Sequence, residues 1–353
     1  MRRIFGLPKE GRAAAARFLI DQGFDSVTVG ADETEESVRP ALDAGLRVWS
    51  CRAAFSVRHL PDGEAEPLLA RDVDSAPKRW FGSGCPNQPV LREAHLAHVR
   101  RVAASGAFTG FMLDGIRFAS PNAGDGFLTC FCDRCRHVSQ ALGLDFQEMR
   151  LDVLALRDGR LIAPVAIQSL DALRELFERH PGLRSWLKLR AASVIEHVHE
   201  VRRVVDDVNR SRSSESRFQL GAYLFFPSLA PFVGQSYAAL SPLLDVVSPM
   251  LYRTFTGGDA CLTDEWATLA ARGLLPRHGP FTPTEVDAEV ARARAVTPSP
   301  PALVPILQLA DERLEETIHS TQSANPDGLD FFVFRTGHEE YVRTASRAMR
   351  AVV

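Results

Sequence analysis

Short runs rich in β-branched and aromatic residues alternate along the whole chain with longer stretches of helical periodicity. The first run, residues 3–7, precedes a helical pattern over 11–22, and the second, 26–29, precedes one over 35–44. A third, 46–51, opens into a long loop before a helix that begins near Leu91. The fourth, 108–113, ends at Asp114 and leads into a longer insertion, 119–181, closed by a helix over 184–209. Further runs follow at 218–225, 245–252, 303–308 and 329–334, the last two each ahead of a helical segment. Eight β/α units in order predict an α/β fold, a (β/α)₈ TIM barrel spanning 1–353 as one domain. An open doubly wound sheet would place a glycine-rich phosphate turn after its first strand, and Gly6-Leu7-Pro8-Lys9-Glu10-Gly11 lacks that spacing.

Composition changes the picture mainly by narrowing the partners. With 353 residues, 45% of them hydrophobic, the chain can bury one large core. A net charge of −3 and a pI near 6.4 give no reason to expect nucleic acid or an anionic membrane, so a small molecule is the expected partner and homo-oligomerisation stays open. The first ten residues carry Arg2 and Arg3 but no adequate apolar stretch, and no later window resembles a membrane span. Six cysteines are too few for a disulfide scaffold in a chain of this size, which fits a reducing, cytoplasmic setting.

Three of those cysteines crowd into Cys130-Phe131-Cys132-Asp133-Arg134-Cys135, within a polar loop where apolar burial does not account for them. A structural zinc ion takes four thiolate or imidazole ligands, commonly a tight group plus one from a distant loop. In a barrel, Cys85 lies on the loop after strand three, beside the strand-four loop with the triplet, and so completes a four-cysteine Zn²⁺ site. The plainer alternative is buried or redox-active thiols with Cys85 unrelated. Four thiolates leave no open coordination position, so such a zinc would be structural rather than catalytic.

The spacing Cys85-x₄₄-Cys130-x-Cys132-x₂-Cys135 resembles the zinc cluster of the β-galactosidases of glycoside hydrolase family 42. That family's clan carries Asn-Glu at the end of strand four, where this chain has Leu113-Asp114, so its catalytic residues do not carry over. A longer series is similar to uncharacterised "hypothetical glycosyl hydrolase" barrel families. It runs from Cys85-Pro86-Asn87 through Gly110 to Phe118 and the triplet to Ser248-Pro249-Met250-Leu251-Tyr252-Arg253. The resemblance implies a glycosidase on a TIM barrel, acting on a carbohydrate.

Barrel enzymes place their chemistry at the C-terminal ends of the strands. Asp114 follows an apolar strand on the face of Met112, which points it into the mouth as a glycosidic nucleophile or general base; it also resembles the strand-four nucleophile of several α-glycosidase and fucosidase families. The alternative is an ion-pair partner for Arg117 or Arg253. Asp311, beyond strand seven, is the first choice for the second carboxyl, weighed against an N-cap of the next helix, with Glu265 and Glu339 behind it. Arg52, Arg117, Arg253 and Arg335 follow strands three, four, six and eight. They would either bind an acidic sugar or pair with Asp32, Asp114, Asp311 or Glu339 to hold the rim. Tyr252, Trp266, Phe226 and Trp80 could stack on sugar rings or simply pack. A barrel that binds carbohydrate or another ligand without turning it over is the competing function. His95, His98 and the mid-helix His197-Val198-His199 match no metal motif.

Overall fold

A computed structural model describes residues 1–162, 167–214, 216–254 and 259–351. Eight parallel strands form the barrel: β1 Arg2–Phe5, β2 Ser26–Gly30, β3 Arg47–Ala53, β4 Gly110–Asp114, β5 Gln219–Leu224, β6 Val246–Leu251, β7 Ile306–Gln308 and β8 Leu329–Phe332. Neighbours pair in chain order, with a short Ala302–Leu303 segment leading along β6 into β7. The ring closes where Ile4 of β1 sits opposite Phe331 of β8. The chain is therefore a (β/α)₈ barrel, as the alternating pattern predicts.

Around it lie α1 Arg12–Asp21, α2 Glu35–Asp43, α3 Pro89–Ser105, α4 Asp133–Ala141, α5 Phe146–Arg157, α6 Leu170–Arg179, α7 Pro181–Asn209, α8 Leu262–Ala271, α9 Pro283–Val296, α10 Leu314–Thr321 and α11 Glu339–Ala351. Local chemistry sets their starts. Thr34 and Thr282 form reciprocal capping boxes with Ser37 and Glu285, and Pro181 opens α7 where a missing N–H costs nothing. α7 extends for 29 residues because its buried positions, from Leu183 and Trp186 to Val204 and Val205, recur at helical spacing along one face. The stretch between β4 and α7 holds α4, α5 and α6; residues 163–166 of the expected insertion lie outside the described residues. No helix among the described residues is long and apolar enough to cross a membrane.

The barrel interior is packed and partly ionic. Glycines make room for its large side chains: a Cβ on Gly110 would lie 2.5 Å from the Trp49 ring, and one on Gly221 would lie 2.4 Å from Met112 Sδ. Arg3 Nε donates to Asp330 at 2.6 Å and its Nη2 to Ser248 Oγ at 2.8 Å, with both charged side chains fully buried. Tyr223 donates its hydroxyl to Asp330 at 3.0 Å, which ties this polar layer to the mouth above it.

Candidate active site and metal centre

The mouth is built from strand ends. Asp114 closes β4, where β3 and β4 pair Ala53 with Asp114. Gly115 follows with φ +58°, a left-handed turn in which its N–H donates to Asp114 Oδ1 at 2.8 Å. That turn ends the strand and holds the carboxylate at the top of the barrel. Together with Arg117, Tyr252 and Asp259 it borders a cavity of about 100 Å³ walled by Phe5, Phe81, Tyr223 and Phe332. Burial holds the Asp114 carboxyl above the usual carboxylate range, against the pull of Arg117 and the Gly115 N–H. Nearby Asp259 pushes in the same direction as burial.

Arg117 is buried, its guanidinium centred 4.6 Å from the Trp80 ring and 5.2 Å from Phe225. It donates to Phe118 O at 3.2 Å and lies 3.9 Å from Asp259 Oδ2. The two rings fix the planar cation, so it reaches the cavity as a rigid positive edge.

Asp311, expected as the second carboxyl, is engaged elsewhere. Arg253 grips it through Nε at 2.9 Å and Nη2 at 2.5 Å, and Arg313 N–H caps it at 3.0 Å, with both ion-pair side chains 3% exposed. Its oxygens are taken up holding the β7–α10 connection to the end of β6, the structural role weighed for it from sequence. The four arginines do not converge either. Strand alternation points Cys51 inward and therefore Arg52 outward, toward Arg101 and Asp32, and burial lowers the Arg52 pKa. Arg253 is bound to Asp311, and Arg335 is exposed; of the four, only Arg117 lines the cavity.

The remaining aromatic and acidic candidates are also sorted by their contacts. Tyr252 lines the cavity, and Trp80 backs it through Arg117. Trp266 donates its indole N–H to Pro276 O at 3.0 Å and packs on Phe281, away from the mouth, while Phe226 is buried. Glu339 sits at the start of α11. Glu265 is fully buried and accepts from Ser120 Oγ and Asn122 N–H, both at 2.7 Å, and from Ala260 N–H at 3.1 Å. Burial raises its pKa to about 7. This carboxylate ties the loop after β4 to the loop after β6.

Sequence reasoning missed Asp259, Tyr223 and the phenylalanine walls. Alternation offered a signal for Phe5, Tyr223 and Phe332, which share the inward face with Arg3, Gly221 and Asp330. Asp259 follows Gly257-Gly258, a turn signature after the sixth strand. Two of the histidines that match no metal motif meet outside the barrel: His95 Nδ1 and His197 Nε2 of α3 and α7 lie 2.9 Å apart, both rings buried.

The four cysteines come together as the spacing implies. All four Sγ atoms of Cys85, Cys130, Cys132 and Cys135 lie within 4.8 Å of one another, buried and unbridged by disulfides. Cys85 Sγ stands 3.5 Å from Cys135 Sγ and 3.6 Å from Cys132 Sγ. The sulfurs of a tetrahedral zinc thiolate centre lie about 3.8 Å apart, so the set fits a metal ion. Donors face the sulfurs: Arg71 N–H approaches Cys130 Sγ at 3.3 Å, Asn87 N–H approaches Cys85 Sγ at 3.4 Å, and Asn87 Nδ2 approaches Cys135 Sγ at 3.3 Å. Arg190 is fully buried and stacked 3.7 Å from the Trp186 ring. It donates to the carbonyls of Thr129, Phe127 and Phe232, and no carboxylate among the described residues lies within ion-pair distance of it. Burial pushes the Arg190 pKa well below its ordinary value, and Cys130 and Cys135 are the groups that pull against it.

No sequence family matches the chain, and no curated protein matches it in sequence. Solved structures do match it in fold. The glycoside hydrolase domain of PgaB (BpsB) from Bordetella bronchiseptica superposes with a TM-score of 0.61 at 13% identity, covering 98% of both chains. The catalytic domain of a β-amylase from Paenibacillus polymyxa gives 0.59 at 12% identity, covering 99% of this chain and 98% of its own. A β-galactosidase from the haloarchaeon Halorubrum lacusprofundi gives 0.63 at 13% identity, and this chain spans 58% of its length. At such identities the likeness is one of fold.

Proposed function

We propose that the barrel mouth is the active site of a glycoside hydrolase in which Asp114 and Asp259 form the carboxyl pair. The observation that carries the reading is the meeting of two carboxyl groups and one fixed guanidinium on an aromatic-walled cavity at the C-terminal end of the strands. Glycoside cleavage needs one carboxyl kept neutral to protonate the leaving oxygen and one ionised to act as nucleophile or base. The surroundings divide these roles. Burial favours the neutral form of Asp114, which we therefore assign as proton donor in place of the nucleophile or base expected from sequence. Asp259, its side chain 20% exposed and 3.9 Å from Arg117, takes the nucleophile or base role. The rings of Tyr252, Tyr223 and Phe332 offer faces for a sugar, and Arg117 offers the cavity a cationic edge that suits a neutral or an acidic ring.

The cysteine cluster is, on the same reading, a structural zinc centre. Zinc would supply charge and rigidity there, holding the loops after β3 and β4 in place. Arg190 supports the assignment: buried beside Cys130 on the Thr129 carbonyl and without a carboxylate partner among the described residues, it would find in an anionic four-thiolate zinc centre the counter-charge that its burial calls for.

Aryl glycosides, glucuronides and galacturonides among them, test the reading. Asp114→Asn should lower kcat/KM by about a thousandfold on substrates with poor leaving groups and far less on dinitrophenyl glycosides, which need no proton. Asp259→Asn should lose both. The mainly apolar lining of the cavity favours a second reading, a carbohydrate-binding barrel without turnover. Clear binding of a sugar with no cleavage of any would favour it and overturn the first.

A further inference from the structure

A concavity much larger than the mouth cavity lies elsewhere on the described surface. A groove of about 720 Å³ runs along the outside of the barrel between α7, the end of α9 and the loop that follows β5, and it shares no lining residue with the mouth cavity. Its floor is apolar, built from Leu187 and Ala191 of α7, Ala230 and Pro231 of the loop, and Val296, which at 45% exposure is among the most exposed large apolar residues described. A bare floor of this kind calls for an apolar occupant.

The rim carries charge of one sign. Arg174, Arg184, Lys188 and Arg292 line the groove against one acid, Glu178. Two of the four are already paired, Arg174 with Asp171 at 3.0 Å and Arg292 with Glu289 at 2.6 Å. Arg184 and Lys188 are not. They stand one turn apart on α7, both exposed; Arg184 donates only to the backbone carbonyl of Glu178 at 3.5 Å, and Lys188 engages no carboxylate among the described residues. Two adjacent unpaired cations above an apolar floor suit a molecule with an anionic head and an apolar body.

The size of the groove decides what kind of molecule. Its volume lies in the range of small-molecule sites, whereas a protein partner would need an interface of roughly 1,200 Å² or more. A membrane surface would want protruding rather than recessed apolar groups. We infer that this flank groove is a binding site for a soluble anionic amphiphile, its head held by Arg184 and Lys188 and its chain laid over Leu187 and Pro231. The inference does not depend on what the mouth does.

Calorimetric titration of the full chain with decanoate, with decyl phosphate, and with decanol and acetate as controls provides the test. Both anionic amphiphiles should bind below their micelle-forming concentrations, and neither the neutral chain nor the bare head should match them. The exposed double variant Arg184→Glu/Lys188→Glu, verified as folded by its circular dichroism and melting, should bind decanoate at least about tenfold more weakly. A conservative Lys188→Arg should retain binding. Equal binding of decanol, unchanged affinity in the double variant, or association only with anionic vesicles would each overturn the proposal, the last in favour of a membrane-facing surface.

Discussion

Asp114 and Asp311 both follow barrel strands, yet their surroundings give them opposite duties. Asp311 is consumed by Arg253 and a helix start, whereas Asp114 faces the cavity and, among the described residues, takes a close hydrogen bond from its neighbour's N–H alone. Asp311→Asn should therefore spare turnover but destabilise the fold by about 3 kcal/mol, because it leaves the buried Arg253 with the exposed Glu312 as its sole carboxylate partner among the described residues. Denaturant melts and kcat/KM on the same preparation check both halves, and lost activity at full stability would reverse the assignment. Asp114 was legible in the sequence because an apolar strand ending in an acid leaves little doubt about direction. Asp311 misled because sequence position reports that a residue stands at the rim, not which arginine reaches it first. The same limit hid Arg52, whose outward direction depends on the strand register around Cys51.

Among the elements, the loops after β3, β4 and β6 carry the site, and two devices hold them. The cysteine cluster joins the first two. The chain should bind one zinc per molecule, measurable by elemental analysis, and Cys85→Ser or Cys132→Ser should empty the site and cost more than about 3 kcal/mol of stability. Full stability after metal removal would leave the cluster as plain buried thiols. Glu265 joins the second pair of loops. A folded carboxyl raised to about 7 from about 4.5 binds more protons than the unfolded chain across that interval, so its contribution to stability is lost as pH rises through it. Relative to wild type, Glu265→Gln should therefore gain melting temperature from about pH 4.5 to about pH 7 and then level off; a constant gap would contradict the burial argument. The cysteine triplet announced itself by spacing, whereas Glu265 looked like any helix acid, because its three donors come from loops that only the closed barrel brings together.

Over the whole molecule, the eight-fold alternation of strand and helix specified the barrel, and the strands fall within a few residues of the runs that predicted them. What periodicity did not reveal is the ionic layer beneath the mouth. Arg3 and Asp330 sit in apolar runs at opposite ends of the chain and meet only on closure. Asp330→Ala should cost about 3–5 kcal/mol by stranding the buried Arg3 charge, and should also leave the Tyr223 hydroxyl of the cavity wall held by Thr28 Oγ1 at 3.2 Å without its shorter bond to Asp330. The barrel thus couples its own closure to the shape of its candidate site. The most direct test of that site is hydrolysis of paired phenyl and dinitrophenyl glycosides by wild type, Asp114→Asn and Asp259→Asn. The account predicts loss on both substrates without Asp259, and without Asp114 a loss of about a thousandfold confined to the poorer leaving group. Undiminished cleavage of both substrates by Asp114→Asn would contradict it.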